Sequence, residues 1–167
     1  MVEGKTQEKE ELTLQKRYYI AYGSNLCIRQ MRWRCPDARI LGTAVLEGWR
    51  LLFRGSKTGS YLTVERAPGC RVPVGVWEVS AEDEAALDRY EGFPDFYYKK
   101  ETVLDITGIR TGNIYRRRVF LYIMHEDRPL GVPSIPYVRT CAEGYEDFRF
   151  DLEPLLDAYE YSWEAAR

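Results

Sequence analysis

The pattern of apolar and polar positions divides the start of the chain into three short elements. Residues 17–22 are mostly aromatic or aliphatic and end at Gly23, which predicts a buried strand that runs into a turn. Residues 26–33 have apolar positions at helical spacing, and Pro36 ends that segment because proline cannot continue a helix. The sequence therefore predicts a strand, a tight loop and a short helix.

The middle of the chain has the pattern of antiparallel strands punctuated by glycine. We predict strands at 40–53, 60–66 and 72–79, where aromatic and β-branched residues are frequent. Ser80 and Asp83 then have the spacing of a helix capping box. A helix from 81 to about 91 is therefore expected, with Gly92 and Pro94 as its stop.

The remaining elements complete one domain. Strands are predicted at 96–105 and 116–124, then an amphipathic helix that opens at Ser134 or Pro136 and reaches Phe148, then a short helix at 152–161. No repeat or linker divides them. We predict a flexible polar leader at 1–15 and a single α+β domain at 16–167, built on a small mixed barrel-like sheet.

Composition and charge narrow the function classes. The net charge of −2 argues against a general nucleic-acid binder, because affinity for phosphate backbones needs a basic surface. The longest apolar run, Val119 to Met124, is far shorter than the roughly 20 residues that cross a bilayer. The first residues lack the apolar stretch of a signal peptide. We therefore expect a cytoplasmic protein that binds neither nucleic acid nor membrane.

Cysteine and histidine are placed unfavourably for a metal site. The four cysteines, at 27, 35, 70 and 141, form no Cys-x-x-Cys pair, and His125 is the only histidine. We expect four reduced thiols and no metal.

The segment from Tyr22 to Leu26 is the first candidate for chemistry. It joins a strand to a helix, where Gly23 lets the backbone bend and the free amides of a helix start can hold an anion. The alternative is a plain turn in which Ser24 or Asn25 only caps the helix. The segment by itself leaves both interpretations open.

Glu91 is the second candidate. It lies four residues after Leu87 on the predicted helix and therefore shares the inward face. Burial raises the pKa of a carboxyl and makes it a better proton acceptor near neutral pH. The alternative is that Glu91 is solvated or pairs with Arg89 or Lys99.

Other residues could complete a polar site. Tyr97, Tyr98, Tyr122 and Tyr137 come from separate elements and could supply hydroxyls to one cavity, although such tyrosines are more often core residues. A group of arginines after the loop could reinforce an anion site, although arginines on helices are usually solvated. These are Arg29, Arg32, Arg34 and Arg39.

Three motifs in order carry a resemblance. Tyr22-Gly23-Ser24-Asn25-Leu26, then Leu87 to Gly92, then Pro133 to Tyr137 with Cys141 to Gly144, are together similar to the γ-glutamylcyclotransferase (AIG2-like) family. The resemblance implies that amides of the loop hold the glutamyl end of a substrate and that Glu91 is the acid/base. It also implies that Tyr137 and either Tyr97 or Tyr98 line the cavity.

The resemblance further implies a small mixed β-barrel flanked by helices. The implied reaction is an intramolecular cyclisation that releases 5-oxoproline and an amino acid or amine from a small γ-glutamyl compound, with no cofactor. The stretch from Phe93 to Phe96 departs from the family pattern and leaves the leaving group open. We expect a monomer or weak homodimer. The alternatives are a binding module of the same fold without catalysis, and an RNA or protein adaptor that uses Arg116 to Arg118.

Overall fold

A computed structural model describes residues 16–167, so the predicted leader at 1–15 lies outside the described residues. The described chain has five strands and four α-helices, with one turn of 3-10 helix at Ser24–Leu26. The strands are β1 (Arg17–Ala21), β2 (Arg39–Ser56), β3 (Gly59–Val79), β4 (Tyr97–Gly108) and β5 (Ile114–Met124). The helices are α1 (Ile28–Arg34), α2 (Ala81–Glu91), α3 (Ile135–Asp147) and α4 (Glu153–Ala165).

The five strands close into one mixed barrel in the order β1-β3-β2-β4-β5. Neighbouring strands are antiparallel except at the closing pair, where β5 runs parallel to β1 through Tyr19 and Phe120. Closure pairs the outer strands with each other and leaves no free edge. The predicted α+β domain with a small mixed barrel flanked by helices is confirmed.

The strand prediction was wrong at one place. The strands predicted at 60–66 and 72–79 are two halves of β3, which forms one long hairpin with β2. Trp49 pairs with Arg66 and Glu47 pairs with Arg71, so residues 67–70 have no partner on β2. Gly69 has a φ of 83° inside this excursion, which glycine adopts without steric strain. The glycine at 69 therefore marks an excursion within one strand and does not separate two strands.

Helix α2 begins and ends where the local signals predict. Ser80 accepts a hydrogen bond from the Asp83 amide at 3.1 Å, and the Asp83 carboxylate accepts one from the Ser80 amide at 3.3 Å. At the other end Gly92 has a φ of 62°, and the amide of Phe93 donates to the Asp88 carbonyl at 2.9 Å. This Schellman-type stop makes Glu91 the last residue of the helix.

Helix α3 packs closely over the loop that follows β1. A Cβ atom at Gly144 would lie 2.5 Å from the Cys27 nitrogen, so only glycine permits this approach. The Tyr145 hydroxyl donates to the Tyr22 carbonyl at 3.4 Å, and Asp147 accepts from the Ile28 amide at 2.9 Å. The loop is thereby held between the barrel and α3. The helix predicted to end near 161 continues as α4 to Ala165.

None of the helices in residues 16–167 is long and apolar enough to cross a membrane. All four cysteines are free thiols, three of them buried and Cys70 exposed.

Candidate active site

A cavity of about 400 Å³ lies between the loop after β1, the end of α2 and the tip of the β2–β3 hairpin. Seven tyrosines contribute to its wall, together with one carboxylic acid, Glu91. The tyrosines are Tyr19, Tyr22, Tyr61, Tyr90, Tyr97, Tyr122 and Tyr137. The rest of the lining comprises Gly23, Ser24, Asn25, Ser56, Thr58, Leu62, Arg89, Gly92 and Phe96. Tyr22 to Asn25, Glu91, Tyr97 and Tyr137, all predicted from sequence, therefore meet in one place.

The loop presents backbone amides to this cavity. Within residues 16–167, the amides of Gly23, Ser24 and Asn25 donate to no protein acceptor, although all three residues line the cavity. Leu26 differs, because its amide donates to the Gly23 carbonyl at 3.0 Å and its side chain is fully buried away from the cavity wall. The inclusion of Leu26 in the cradle is therefore corrected. The 3-10 turn therefore uses the amide of Leu26 and leaves the amides of Gly23, Ser24 and Asn25 unpaired among the described residues.

Glu91 has no ion-pair partner among the described residues. Lys99, one of the two cations considered as a partner, binds Glu84 at 3.0 Å and Asp88 at 2.7 Å instead. The Asn25 amide nitrogen donates to Glu91 Oε1 at 3.3 Å. Burial raises the pKa of Glu91 to about 8, and the nearby Arg34 guanidinium offsets part of that rise. A carboxyl with this pKa can both accept and return a proton near neutral pH.

A series of hydrogen bonds and one stacking contact connects Glu91 with Arg34 and Tyr90. Asn25 donates through the same amide nitrogen to the Tyr19 hydroxyl at 2.9 Å, and its oxygen accepts from Arg34. The Arg34 guanidinium stacks on Tyr90, and the Tyr90 and Ser24 hydroxyls are hydrogen bonded at 3.2 Å. The sequence indicates Arg34 only as one of four arginines that could reinforce an anion site, and it does not indicate Tyr19 or Tyr90 as site residues. The adjacency of Tyr90 to Glu91 was the available signal.

The structure separates the two candidate tyrosines of β4. The Tyr97 hydroxyl donates to the Leu62 carbonyl at 2.8 Å on the cavity wall. The Tyr98 hydroxyl instead donates to Glu126 near the surface, and its ring contacts His125. Tyr98 is therefore not part of the lining, which corrects its inclusion among the substrate-binding residues. Successive residues of a strand face opposite sides, so only one of the pair can face the cavity.

The remaining predicted tyrosines are both held by backbone or carboxylate partners. The Tyr137 hydroxyl accepts from the Leu62 amide at 3.0 Å, and Tyr122 donates to Asp88 at 2.6 Å. Burial raises the pKa of both phenols, so they are neutral near physiological pH.

The basic run at Arg116 to Arg118 lies elsewhere. Arg116 pairs with Asp105 at 3.1 Å and Arg118 with Glu101 at 3.3 Å, on exposed side chains of β4 and β5. These pairs offset the charges of Arg116 and Arg118, and none of the three arginines lines the cavity. In residues 16–167 no group of three or more His, Cys, Asp or Glu side chains could hold a metal ion.

Comparisons with known proteins agree with one another. Residues 19–139 match the family model described as gamma-glutamyl cyclotransferase, AIG2-like. A gamma-glutamylcyclotransferase of Homo sapiens is 29% identical over 143 residues, which cover 81% of this chain and 73% of that protein. The Mus musculus gamma-glutamylcyclotransferase is 28% identical over 77% of this chain and 70% of its own. A solved gamma-glutamyl cyclotransferase structure superposes with a TM-score of 0.70 at 24% identity, over 91% of this chain and 87% of that chain.

Proposed function

Because the chain belongs to the γ-glutamylcyclotransferase, AIG2-like, family, we propose that it converts a small L-γ-glutamyl compound into 5-oxoproline and a free amine or amino acid. The observation that carries this proposal is the carboxyl of Glu91, which shares one cavity with three unpaired backbone amides. The substrate is a small molecule, and the chemistry needs no redox step.

The reaction is a nucleophilic displacement within one molecule. The α-amine of the γ-glutamyl group attacks its own γ-carbonyl carbon, forming the ring C–N bond, and the bond to the departing nitrogen then breaks. An ammonium has no lone pair for this attack, so Glu91 first accepts one of its protons. The same carboxyl then returns a proton to the departing nitrogen. After the attack the ring nitrogen sheds a second proton, which Glu91 takes up and passes to the departing nitrogen in the same way. The amine therefore departs as an ammonium, and Glu91 ends ionised as it began.

The raised pKa of Glu91 suits both the uptake of a proton from the substrate amine and its return to the departing nitrogen. A carboxyl with a pKa of about 8 is ionised in roughly one molecule in ten at pH 7. A bound substrate ammonium lowers that pKa, because an opposite charge within a few ångströms favours the carboxylate. Substrate binding therefore promotes formation of the base that the reaction requires.

The loop amides supply orientation and charge stabilisation. Gly23, Ser24 and Asn25 hold a substrate carboxylate or the oxyanion that forms on the γ-carbonyl. Holding the extended substrate in a folded shape brings amine and carbonyl to about 3 to 3.5 Å, which is the geometry that accelerates intramolecular attack. The neutral hydroxyls of Tyr97 and Tyr137 complete the polar wall.

The proposal is tested by 5-oxoproline release from a panel of L-γ-glutamyl amino acids and amines. Glu91→Gln keeps the shape of the side chain but removes proton transfer, so turnover is expected to fall by about 10² to 10⁴-fold. Glu82→Gln is the matched control, because Glu82 lies exposed on the first turn of the same helix. Its turnover is expected to equal wild type.

Two results would count against this assignment. Near-wild-type turnover in Glu91→Gln would remove Glu91 from the mechanism. Binding of γ-glutamyl compounds with no product from any of them would favour a binding module that retains the fold without catalysis.

A further inference from the structure

The Asn25 side chain separates the Arg34 guanidinium from Glu91. Arg34 is the last residue of α1 and is half-buried. One of its nitrogens donates to Asn25 Oδ1, and another donates to Gln30 at 3.3 Å. Its Cζ lies 3.3 Å from the centre of the Tyr90 ring. Arg34 thus contacts both the substrate loop and the neighbour of Glu91 on α2.

We propose that Arg34 is a positioning residue that fixes the Asn25 amide so that its NH₂ group faces Glu91 and holds the carboxyl for proton transfer. This inference rests on the proposed function of Glu91. It assigns to Arg34 a role exerted through Asn25, without contact with substrate.

The direction of the amide follows from hydrogen-bond chemistry. A guanidinium carries only donors, so the atom of Asn25 that faces it must be the oxygen. The two N–H groups then face the Tyr19 hydroxyl at 2.9 Å and Glu91 Oε1 at 3.3 Å. A reversed amide would place its oxygen against the carboxylate and its NH₂ against the guanidinium. Both hydrogen bonds would be lost, and groups of like partial charge would meet.

Arg34 is the cation whose charge acts on the Glu91 carboxyl. The titratable and charged side chains near that carboxyl are Tyr19 of β1, Tyr22 of the loop after β1, Arg34 of α1, Tyr61 of β3, Arg89 and Tyr90 of α2, Tyr97 of β4, Tyr122 of β5 and Tyr137 of α3. Burial raises the pKa of Tyr19, Tyr22, Tyr97, Tyr122 and Tyr137, which are therefore neutral. Arg34 supplies the positive charge that lowers the pKa of Glu91.

The stack of Arg34 on Tyr90 connects α1 with the end of α2. A guanidinium over a tyrosine face is attracted to the negative face of the ring. Tyr90 is also hydrogen bonded to Ser24 at 3.2 Å. Since Tyr90 precedes Glu91 directly, the stack ties the end of α2 to α1 and to the loop.

The test follows the titration of Glu91 directly. The protein is produced with ¹³C-labelled glutamate, and the Glu91 carboxyl resonance is identified by its absence from Glu91→Gln. The pKa is then measured in Arg34→Gln, Arg34→Met and Arg34→Lys. Arg32→Gln is the matched control, since Arg32 is an exposed arginine of the same helix. Circular dichroism establishes that each variant is folded.

We expect Arg34→Gln and Arg34→Met to raise the pKa of Glu91 by about one pH unit, because an opposite charge is removed together with the fixed amide. Arg34→Lys is expected to lie between these variants and wild type, since lysine keeps the charge but not the planar stack. In turnover, kcat/KM at pH 7 should fall about tenfold in Arg34→Gln and recover toward wild type as pH rises. Arg32→Gln should match wild type in both measurements.

Different outcomes test the positioning role of Arg34 and the proposed cyclotransferase function. A Glu91 pKa unchanged in both Arg34→Gln and Arg34→Met would overturn the positioning role. If Arg34→Gln does not fold, Arg34→Met decides, because its unbranched chain still covers Tyr90. If the wild-type protein turns over no γ-glutamyl compound, the proposed function fails, while the titration still decides whether Arg34 positions Glu91.

Discussion

Leu62 is the point at which two cavity tyrosines meet the barrel. Its carbonyl accepts from Tyr97 at 2.8 Å, and its amide donates to Tyr137 at 3.0 Å. Tyr97 therefore uses its proton and offers only lone pairs to the cavity. Tyr137 uses a lone pair in its bond to Leu62, so its proton stays available for another acceptor, the neighbouring Cys141 thiol or a substrate. One hydroxyl is thus an acceptor suited to an ammonium, and the other is a donor suited to a carboxylate or oxyanion.

This difference gives a prediction for the paired tyrosines of β4. Tyr97→Phe removes the hydrogen bond to Leu62 and the acceptor in the cavity, so kcat/KM should fall by about fivefold to tenfold, the equivalent of roughly 1 kcal/mol. Tyr98→Phe loses a bond to Glu126 near the surface, and its kcat/KM should stay within about twofold of wild type. The 5-oxoproline assay measures both. Equal losses in the two variants would contradict the separation of their roles.

At the scale of elements, α2 places Glu91 at the cavity, and its two ends are fixed by local chemistry. The capping box at Ser80 and the left-handed Gly92 set its length. Lys99 bridges Glu84 and Asp88 of α2 to β4, and Tyr122 of β5 donates to Asp88. These bonds clamp the helix on the barrel and leave Glu91 at the cavity. The bounds of α2 could be predicted from sequence because caps act within a few residues.

Substitution of Gly92 tests this control of the helix end. Its φ is 62°, and a Cβ atom there would lie 3.1 Å from the Cβ of Phe96. Gly92→Ala should therefore lower the free energy of unfolding by about 1 to 2 kcal/mol and reduce kcat/KM by shifting Glu91. Gly112→Ala is the matched control, because its φ is 69° with no atom within 4 Å of a new Cβ.

Urea unfolding and the 5-oxoproline assay distinguish the two glycine variants. Both should lose stability by a similar amount, since both place alanine in the left-handed region. Only Gly92→Ala should lose activity. A Gly92→Ala protein with wild-type kcat/KM would show that the position of Glu91 does not depend on this helix stop.

For the whole molecule, barrel closure decides which residues meet. The order and spacing of the motifs were enough to predict the fold and to indicate that Glu91 and the segment from Gly23 to Asn25 lie in one cavity. Ser56, Thr58 and Tyr61 reach the cavity because β2 and β3 form one long hairpin, and sequence patterns had divided that hairpin. Arg34 meets Tyr90 only where α1 and α2 come together in the closed fold. Contacts such as that between Arg34 and Tyr90 depend on tertiary packing, so they cannot be predicted from local sequence propensity.

The half-buried Glu91 also affects the stability of the whole protein, with a definite sign. Its pKa rises from an ordinary value of 4.5 to about 8 on folding. Between these values the native state keeps a proton that the unfolded state releases, so the free energy of unfolding falls as pH rises through this window. Below it both states are protonated, and above it the loss is complete. Glu91→Gln removes this dependence, because glutamine does not titrate.

Glu91→Gln is therefore expected to be more stable than wild type at pH 9 by roughly 2 to 4 kcal/mol, a range that allows for contact of Glu91 with cavity water. This advantage should disappear near pH 4.5. Urea unfolding at several pH values measures it. Glu82→Gln should show the opposite sign at pH 9, a loss of about 0.3 to 1 kcal/mol, because it removes a favourable charge from the start of α2. The stability difference between Glu91→Gln and wild type could instead be the same at pH 4.5 and pH 9. The pKa of Glu91 would then not rise on folding, and the carboxyl would be ionised in the folded protein at neutral pH. In that case the proton-transfer role argued from its raised pKa would lose its physical basis.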